Sequence, residues 1–298
     1  MSILVVGSAN MDLVLRTVKF PEPGETVLGR DFSTHPGGKG ANQAVAIGRL
    51  GGEVYFVGSV GNDAFGSALL ESLRLCGVNT DAVGRSPLPT GCAMIMVNDQ
   101  AQNMIAVAPG ANEGIRLEVV REVGSRHTGI VLVQLEVPLA IVEEASRLGR
   151  VIVNPAPACT LPSAVLENLF AITPNEAETA ALTGISPVDE ASCQMAGDFL
   201  HDSGVKNVVM TLGERGCWYS GPEGAFHVPG FIVESVDTTA AGDAFNGALA
   251  LALDEGHTWK EALRFANAVG ALSTTRHGAQ ESMPTRQEAT ALVELSTH

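Results

Sequence analysis

Aromatic residues make up only 5% of the chain, so Val, Leu, Ile and Ala must build whatever core it has. Cysteine offers no pattern: Cys76, Cys92, Cys159, Cys193 and Cys217 are scattered, odd in number and without a C-x-x-C pair. This excludes a disulfide framework or a zinc site and suits buried or incidental thiols in a reducing compartment. The 7 histidines show neither H-x-x-x-H nor H-E-x-x-H spacing. Positive charge is short too, since 18 Lys and Arg against 33 Asp and Glu leave a formal charge of −15. Non-specific binding to nucleic acid or to anionic membranes is therefore disfavoured. An anionic substrate is still permitted, because local basic groups or magnesium can reverse the local field. No apolar run approaches membrane-spanning length, and no basic leader precedes Ile3. The expectation is a soluble, cytoplasmic protein with no nucleic-acid or membrane partner. No internal repeat, low-complexity tract or linker divides the chain, so one α/β domain over 1–298 is expected.

What is present is a rhythm. Short apolar runs at 3–7, 54–58, 130–135, 151–153, 171–173 and 207–211 read as strands. Helical patterns follow at about 64–76, 139–148, 175–183 and 190–202, and again at 259–273 and near the end of the chain. Strand-then-helix repetition argues for a mostly parallel sheet covered on both faces. Two β-excursions interrupt it. One has strands at 13–20 and 26–32 about Pro21-Glu22-Pro23-Gly24-Glu25; the other has strands at 92–97 and 103–108 about 98–102. Pairing of the two predicts a small β lid from about 11–34 and 90–108. A further hairpin is read at 217–220 and 225–228.

Polar or Gly-rich groups fall just after apparent strands: Asn10 and Asp12, Glu136, Asn175-x-x-Glu178, 211–216 and the 240–243 turn. In open α/β sheets ligands gather at that edge. Gly37-Gly38-Lys39-Gly40-Ala41-Asn42 opens a helix with bare backbone, yet it is not a Walker A loop, because Lys39 is followed by Gly40. In the stretch Val236–Gly247, small residues lead into a helix read from Asp243 to Glu255 and closed by Gly256. Such a turn presents unpaired N–H groups at the positive end of a helix dipole, and Asp243 adds a possible proton acceptor beside them. Blander accounts exist. Asp243 could be an ordinary first-turn acid, Asn10 and Asp12 an Asx-turn, and Asn175 to Glu178 a solvated helix start. Gly7-Ser8-Ala9-Asn10 does not continue as G-x-G-x-x-G, which argues against a Rossmann dehydrogenase.

Taken together, Gly37-Gly38-Lys39-Gly40-Ala41-Asn42-Gln43-Ala44 and Asp237-Thr238-Thr239-Ala240-Ala241-Gly242-Asp243 resemble the ribokinase family of sugar and nucleoside kinases. Asn154-Pro155-Ala156-Pro157-Ala158 and Thr173-Pro174-Asn175-Glu176 lie between them in the family's order, so the resemblance covers essentially the whole chain. It implies a three-layer α/β/α fold and ATP-dependent phosphorylation of the primary O5 hydroxyl of D-ribose. Another pentose such as deoxyribose, or a nucleoside, is the alternative acceptor; a non-catalytic sugar- or nucleotide-binding module is a third. The resemblance further implies Asp243 as catalytic base, with Ala240, Ala241 and Gly242 completing an anion hole. Ala240 stands where many relatives carry Gly, a departure that costs stability only if the position needs φ > 0. Sugar contacts are implied for Asn10, Met11, Asp12, Gly38, Lys39, Gly40, Ala41, Asn42 and Glu136. ATP contacts are implied for Asn175, Thr211, Leu212, Gly213, Glu214, Arg215, Gly216 and Asn267. Magnesium belongs near Asn175 and Glu178. A monovalent cation, potassium, belongs near Asp237, Thr239, Ser273, Arg276, Gly278 and Ser282, with Arg276 giving its carbonyl in preference to its guanidinium. A homodimer through the lid is expected.

Overall fold

A computed structural model describes residues 2–100 and 102–296; Ala101, in the expected 98–102 turn, lies outside the described residues. Strand residues alternate between faces, and the core divides accordingly. Ile3 and Val5, Ile130 and Leu132, and Ile152 belong to one buried cluster. Leu4 and Val6, Val131 and Val133, and Val151 and Val153 belong to the other. Both faces of these strands are thus covered, which is why each reads as a continuous apolar run. Helices Lys39–Arg49, Ala64–Leu75, Ala241–Asp254 and Trp259–Ser273 pack on the first face. Helices Leu117–Ser125, Leu139–Ala145 and Glu190–Asp202 pack on the second, completing three layers.

The 9-stranded sheet runs from Gly224–Val228 through Cys217–Gly221, Val208–Thr211, Ala171–Ile172, Arg150–Asn154 and Ile130–Gln134 to Ile3–Val6, Val54–Val57 and Val78–Asn79. Only the pairings that involve Cys217–Gly221 are antiparallel. The chain leaves Ile3–Val6 toward Val54–Val57 on one side and later places Ile130–Gln134 on the other. Connections therefore diverge between these two neighbours, and a crevice forms at their carboxyl ends.

The two excursions do meet. Strands Gly29–Gly37, Asn10–Thr17, Gly91–Val97 and Asn103–Ala108 form a separate 4-stranded sheet in that order. Its first strand begins earlier than the sequence reading placed it, so Asn10 and Asp12 belong to the small sheet and share one of its faces. The Asx-turn account of this pair is thereby excluded. Pro36 and Gly37 also lie in strand instead of loop, which an edge strand tolerates in proline. Sequence reading passed over the 3₁₀ turn Gly110–Gly114 and helix Leu117–Ser125 altogether. Among the described residues no helix is long and apolar enough to cross a membrane.

Candidate active site

Helix Ala241–Asp254 starts before Asp243, so the acid sits within its first turn. Its entry residue Ala240 has φ 59°, the one non-glycine position with positive φ among the described residues. The condition under which alanine costs stability is therefore met. Ala240→Gly is expected to stabilise the protein by about 0.5 to 1 kcal/mol, the left-handed penalty less the entropy that glycine adds to the unfolded chain. Urea unfolding checks this, and a less stable variant would overturn it. Of the amides at the helix start, Ala241 N donates to Thr238 O at 3.2 Å and Ala244 N to Ala240 O at 2.9 Å. Those of Gly242 and Asp243 have no intrahelical acceptor, and a side chain built at Gly242 would meet open space. Of the 240–243 turn, only the N–H of Ala241 is thus spent on a neighbouring carbonyl, and the others are left available to an anion.

Asp243 is only 6% exposed, and each of its oxygens is engaged. Asn42 Nδ2 donates to Oδ2 at 3.0 Å and Gln43 Nε2 to Oδ1 at 3.0 Å. Both donors come from helix Lys39–Arg49, two hundred positions earlier in the chain. The glycines explain how that helix gets so close. Gly38 has φ 89°, and a Cβ there would lie 2.6 Å from Asn10 N. A Cβ on Gly40 would lie 2.6 Å from Gly7 Cα, so the helix end rests directly on the backbone after the first strand. Ala41 is fully buried and donates its N–H to Ser8 O at 2.9 Å. Met11, on the opposite strand face from Asn10 and Asp12, packs into the core. Gly40, Ala41 and Met11 therefore shape the crevice without offering it a polar side chain.

Across the sheet's point of divergence, Glu136 Oε2 accepts from Ser8 Oγ at 2.6 Å, from Asn10 Nδ2 at 3.4 Å and from Lys39 N at 3.2 Å. Asn112 braces Asn10 from behind, donating from Nδ2 to Asn10 Oδ1 at 2.7 Å and accepting from Ala9 N at 2.9 Å. One ammonium faces several acids. Burial pulls Lys39 down, but Asp243, Glu136, Glu178 and Asp12 together hold it above its ordinary value, so it stays charged. Burial, with Glu136, Asp243 and Glu281 nearby, pushes Asp12 up to about 7, while His35 pulls the other way. Burial also raises Asp243, against Lys39 and the donors Asn42 and Gln43. A buried carboxylate held above its ordinary value yet aimed by two amides is suited to take a proton from a hydroxyl.

Thr211 ends its strand beside Asn175, bridging it in parallel. Asn175 Oδ1 accepts from Glu178 N at 2.8 Å and Glu178 Oε2 accepts from Asn175 N at 2.8 Å, a reciprocal cap on helix Glu176–Thr183. Burial raises the Glu178 carboxyl. Leu212 to Gly216 form a turn closed by Leu212 N donating to Gly216 O at 2.8 Å. In it Glu214 is exposed, whereas Arg215 turns outward, pairing with Glu176 at 2.5 Å. Asn267 gives its amide to the carbonyls of Val228 and Pro229, each at 3.1 Å, and so holds the strand end instead of pointing outward.

Asp237 closes a second loop. It accepts from Thr239 N at 2.9 Å, Thr239 Oγ1 at 2.6 Å and Gly278 N at 3.0 Å. Burial opposes its ionisation, but these donors win and keep the carboxyl below its ordinary value. Arg276 spends its guanidinium on Glu288, leaving the backbone carbonyl as its possible contribution. Ser273 and Ser282 are buried, their hydroxyls donating to Gly270 O at 2.8 Å and Ala279 O at 2.9 Å. An ionised acid among backbone oxygens fits a monovalent cation.

Beyond the residues expected from sequence, the site enlists Ser8, Gln43, Asn112, Gln134, Asn154 and Gln280. Gln43 lay inside the 37–44 run and Asn154 opened the 154–158 run; Gln134 was the polar residue near the end of an apolar strand. Asn112 and Gln280 gave no signal that one sequence could separate from ordinary loop residues.

A model of the pfkB family carbohydrate kinases matches residues 1–286. Ribokinase of Haemophilus influenzae is 40% identical over 301 residues, covering 98% of this chain and 98% of that protein. The structure of Thermotoga maritima ribokinase superposes with a TM-score of 0.92 at 39% identity, covering 99% of both chains. That of Arabidopsis thaliana ribokinase complexed with ribose and ATP gives a TM-score of 0.90 at 34% identity, covering 98% of both.

Proposed function

The chain belongs to the pfkB family of carbohydrate kinases, and from that premise we propose that it transfers the γ-phosphoryl group of ATP to O5 of D-ribose, giving D-ribose 5-phosphate. The observation that carries the proposal is Asp243, a buried acid beside two free helix N–H groups and facing the Asn10, Asp12, Lys39, Asn42 and Glu136 side of the crevice. Relatives that are ribokinases, one solved with ribose and ATP, support the acceptor and the donor.

The chemistry follows from positions. Asn10, Asp12 and Glu136 bind hydroxyls of the sugar, with Lys39 and Asn42 beside them, and leave O5 against Asp243. Asp243 takes the O5 proton as O5 bonds to the γ-phosphorus and the bond to the β–γ bridging oxygen breaks, leaving ADP. The N–H groups of Gly242 and Asp243 stabilise charge on the phosphoryl oxygens in transit. The Thr211–Gly216 turn, with Asn175 beside it, supports the nucleotide.

Among the described residues no cluster of three His, Cys, Asp or Glu side chains forms a metal cage. That fits magnesium carried by nucleotide phosphates, with Asn175 and Glu178 the side chains that would face it. When bound, the ion neutralises phosphate charge that four nearby acids would otherwise repel. Potassium at the Asp237 loop would order the turn that leads to Ala240.

The test is a coupled assay with ATP and magnesium on ribose, deoxyribose, adenosine and fructose, with and without potassium. Ribose is expected to give the best turnover, and potassium to raise it. Fastest turnover on a nucleoside would overturn the acceptor, and equal rates without potassium would remove the cation site.

The small sheet supports a homodimer. By the strand register Phe32, Met94 and Met104 lie on one face with Leu13 and Leu15, each of the three more than half exposed. A monomer rarely leaves such apolar area to water, and a second copy's sheet would cover it. Sedimentation at micromolar concentration is expected to give twice the 30.9 kDa chain mass; a monomer would end the proposal.

A further inference from the structure

We propose that Gln43 is a positioning residue for the base: with Asn42 it encloses Asp243 between amide donors, so that the site holds this side chain as an ionised carboxylate aimed at the acceptor. The inference rests on Asp243 as the catalytic base. It follows from the direction in which the hydrogen bonds must run.

Asn154 donates its amide to Thr173 O at 3.3 Å, which turns Asn154 Oδ1 toward Gln43. Gln43 is fully buried and now faces two acceptors, Asn154 Oδ1 at 3.1 Å and Asp243 Oδ1 at 3.0 Å. Its amide nitrogen must point at both, because its oxygen would meet oxygen on either side. Gln43 Oε1 is then left to accept from Gln134 Nε2 at 2.5 Å. Gln134, also fully buried, ends the row with its own Oε1 unpartnered among the described residues. A Cβ on Gly7 would lie 2.1 Å from that oxygen, so the backbone closes off the row there. An orphaned buried acceptor costs free energy, and the native state tolerates it at the far end of a row whose near end serves Asp243.

The other oxygen is served in the same way. Ser72 Oγ donates to Gln280 Oε1 at 2.9 Å, Gln280 Nε2 to Asn42 Oδ1 at 3.3 Å, and Asn42 Nδ2 to Asp243 Oδ2 at 3.0 Å. Two amide rows from separate parts of the chain thus converge as donors, one on each carboxylate oxygen. A proton placed on Asp243 toward either amide would meet an N–H. Only the remaining lone pairs, on the crevice side, can receive it. Burial opposes ionisation of Asp243 most strongly, with Glu136 adding to it, whereas Lys39 and the two amide donors Asn42 and Gln43 favour the ionised state.

The test is the acid limb of the kcat/KM profile on ribose, together with direct titration of the Asp243 carboxyl by carbon NMR in the unliganded enzyme. Gln43→Met removes the donor, and Gln43→Glu puts an acid in its place. Both are expected to move the limb and the NMR titration to higher pH by about 1 to 2 pH units, the worth of a hydrogen bond to a charged group. Gln280→Met, which loosens Asn42 instead, is expected to move both by less and serves if the Gln43 variants do not fold. Folded variants whose kcat falls with both titrations unmoved would show a purely structural role and overturn the proposal. Failure of the base assignment looks different, because Asp243→Asn would then keep its turnover whatever the Gln43 variants do.

Discussion

Asp243→Asn is expected to lower kcat on the order of 10³-fold, the scale on which a positioned general base contributes. The substitution keeps shape and volume, and it removes a buried charge, so folding and ATP binding should survive. One of its two polar atoms will meet a facing N–H, since Asn42 and Gln43 both donate to this side chain. That mismatch costs about 1 to 3 kcal/mol, partly offset by the lost desolvation of the carboxylate. The melting temperature should therefore move by only a few degrees. KM for ATP should change little. Near wild-type kcat in a folded variant would remove Asp243 from the chemistry.

Asp12→Asn is expected to do two opposite things. It should lower kcat/KM on ribose by about 10²-fold, through loss of a charge-assisted hydrogen bond to the sugar. It should also make the unliganded protein more stable at pH 8. The sign comes from Asp12 being raised from 3.8 to about 7, which means that the native state holds this proton more tightly than the unfolded chain. Stability from this group is highest below the unfolded value and falls as pH rises between the two, with the whole cost present above pH 7. The separation sets an upper bound of roughly 4 kcal/mol, and the remaining solvent contact of Asp12 reduces it to about 2 kcal/mol. Asparagine removes that cost, so the variant should melt about 4 °C higher at pH 8. The gain should shrink at pH 5, where Asp12 is already protonated in the wild type. Equal melting at both pH values would show that the carboxylate is not under strain.

These two acids show how the site divides its work. Asp12 stands on the separate small sheet, and Asp243 on a helix anchored in the main core. In the proposed mechanism neither acts alone, because the groups assigned to sugar binding and to proton transfer come from separate parts of the fold. A stabilisation forgone at Asp12 is what the proposed sugar contact would ask of this position.

Local residue choice determined much of this protein. Apolar runs marked the parallel strands, because strands buried on both faces admit no polar alternation. Gly38 and Gly40 marked a helix start with bare backbone, although what comes close to them is the backbone of Asn10 and Gly7, and the small residues before Asp243 marked the turn that enters its helix. The β-excursions were legible as excursions, because their strands pair with each other and not with the main sheet.

Tertiary structure decided the rest. Only the strand order could bring Ser8 against Glu136, or Gln280 against Asn42, since no spacing in the chain encodes a meeting across more than a hundred positions. Asn10 and Asp12 joined the small sheet because pairing with Gly91–Val97 extends the strand toward its own start, an effect set by the partner and not by the residues. Arg215 was drawn outward by Glu176, and Asn267 inward by two carbonyls, although the resemblance implied ATP contacts for both. Ala240 is the most instructive case. Its identity showed a departure, but only the backbone revealed a φ of 59°. A sequence names the groups available for chemistry; their hydrogen-bond direction, ionisation and strain depend on neighbours that the fold alone supplies.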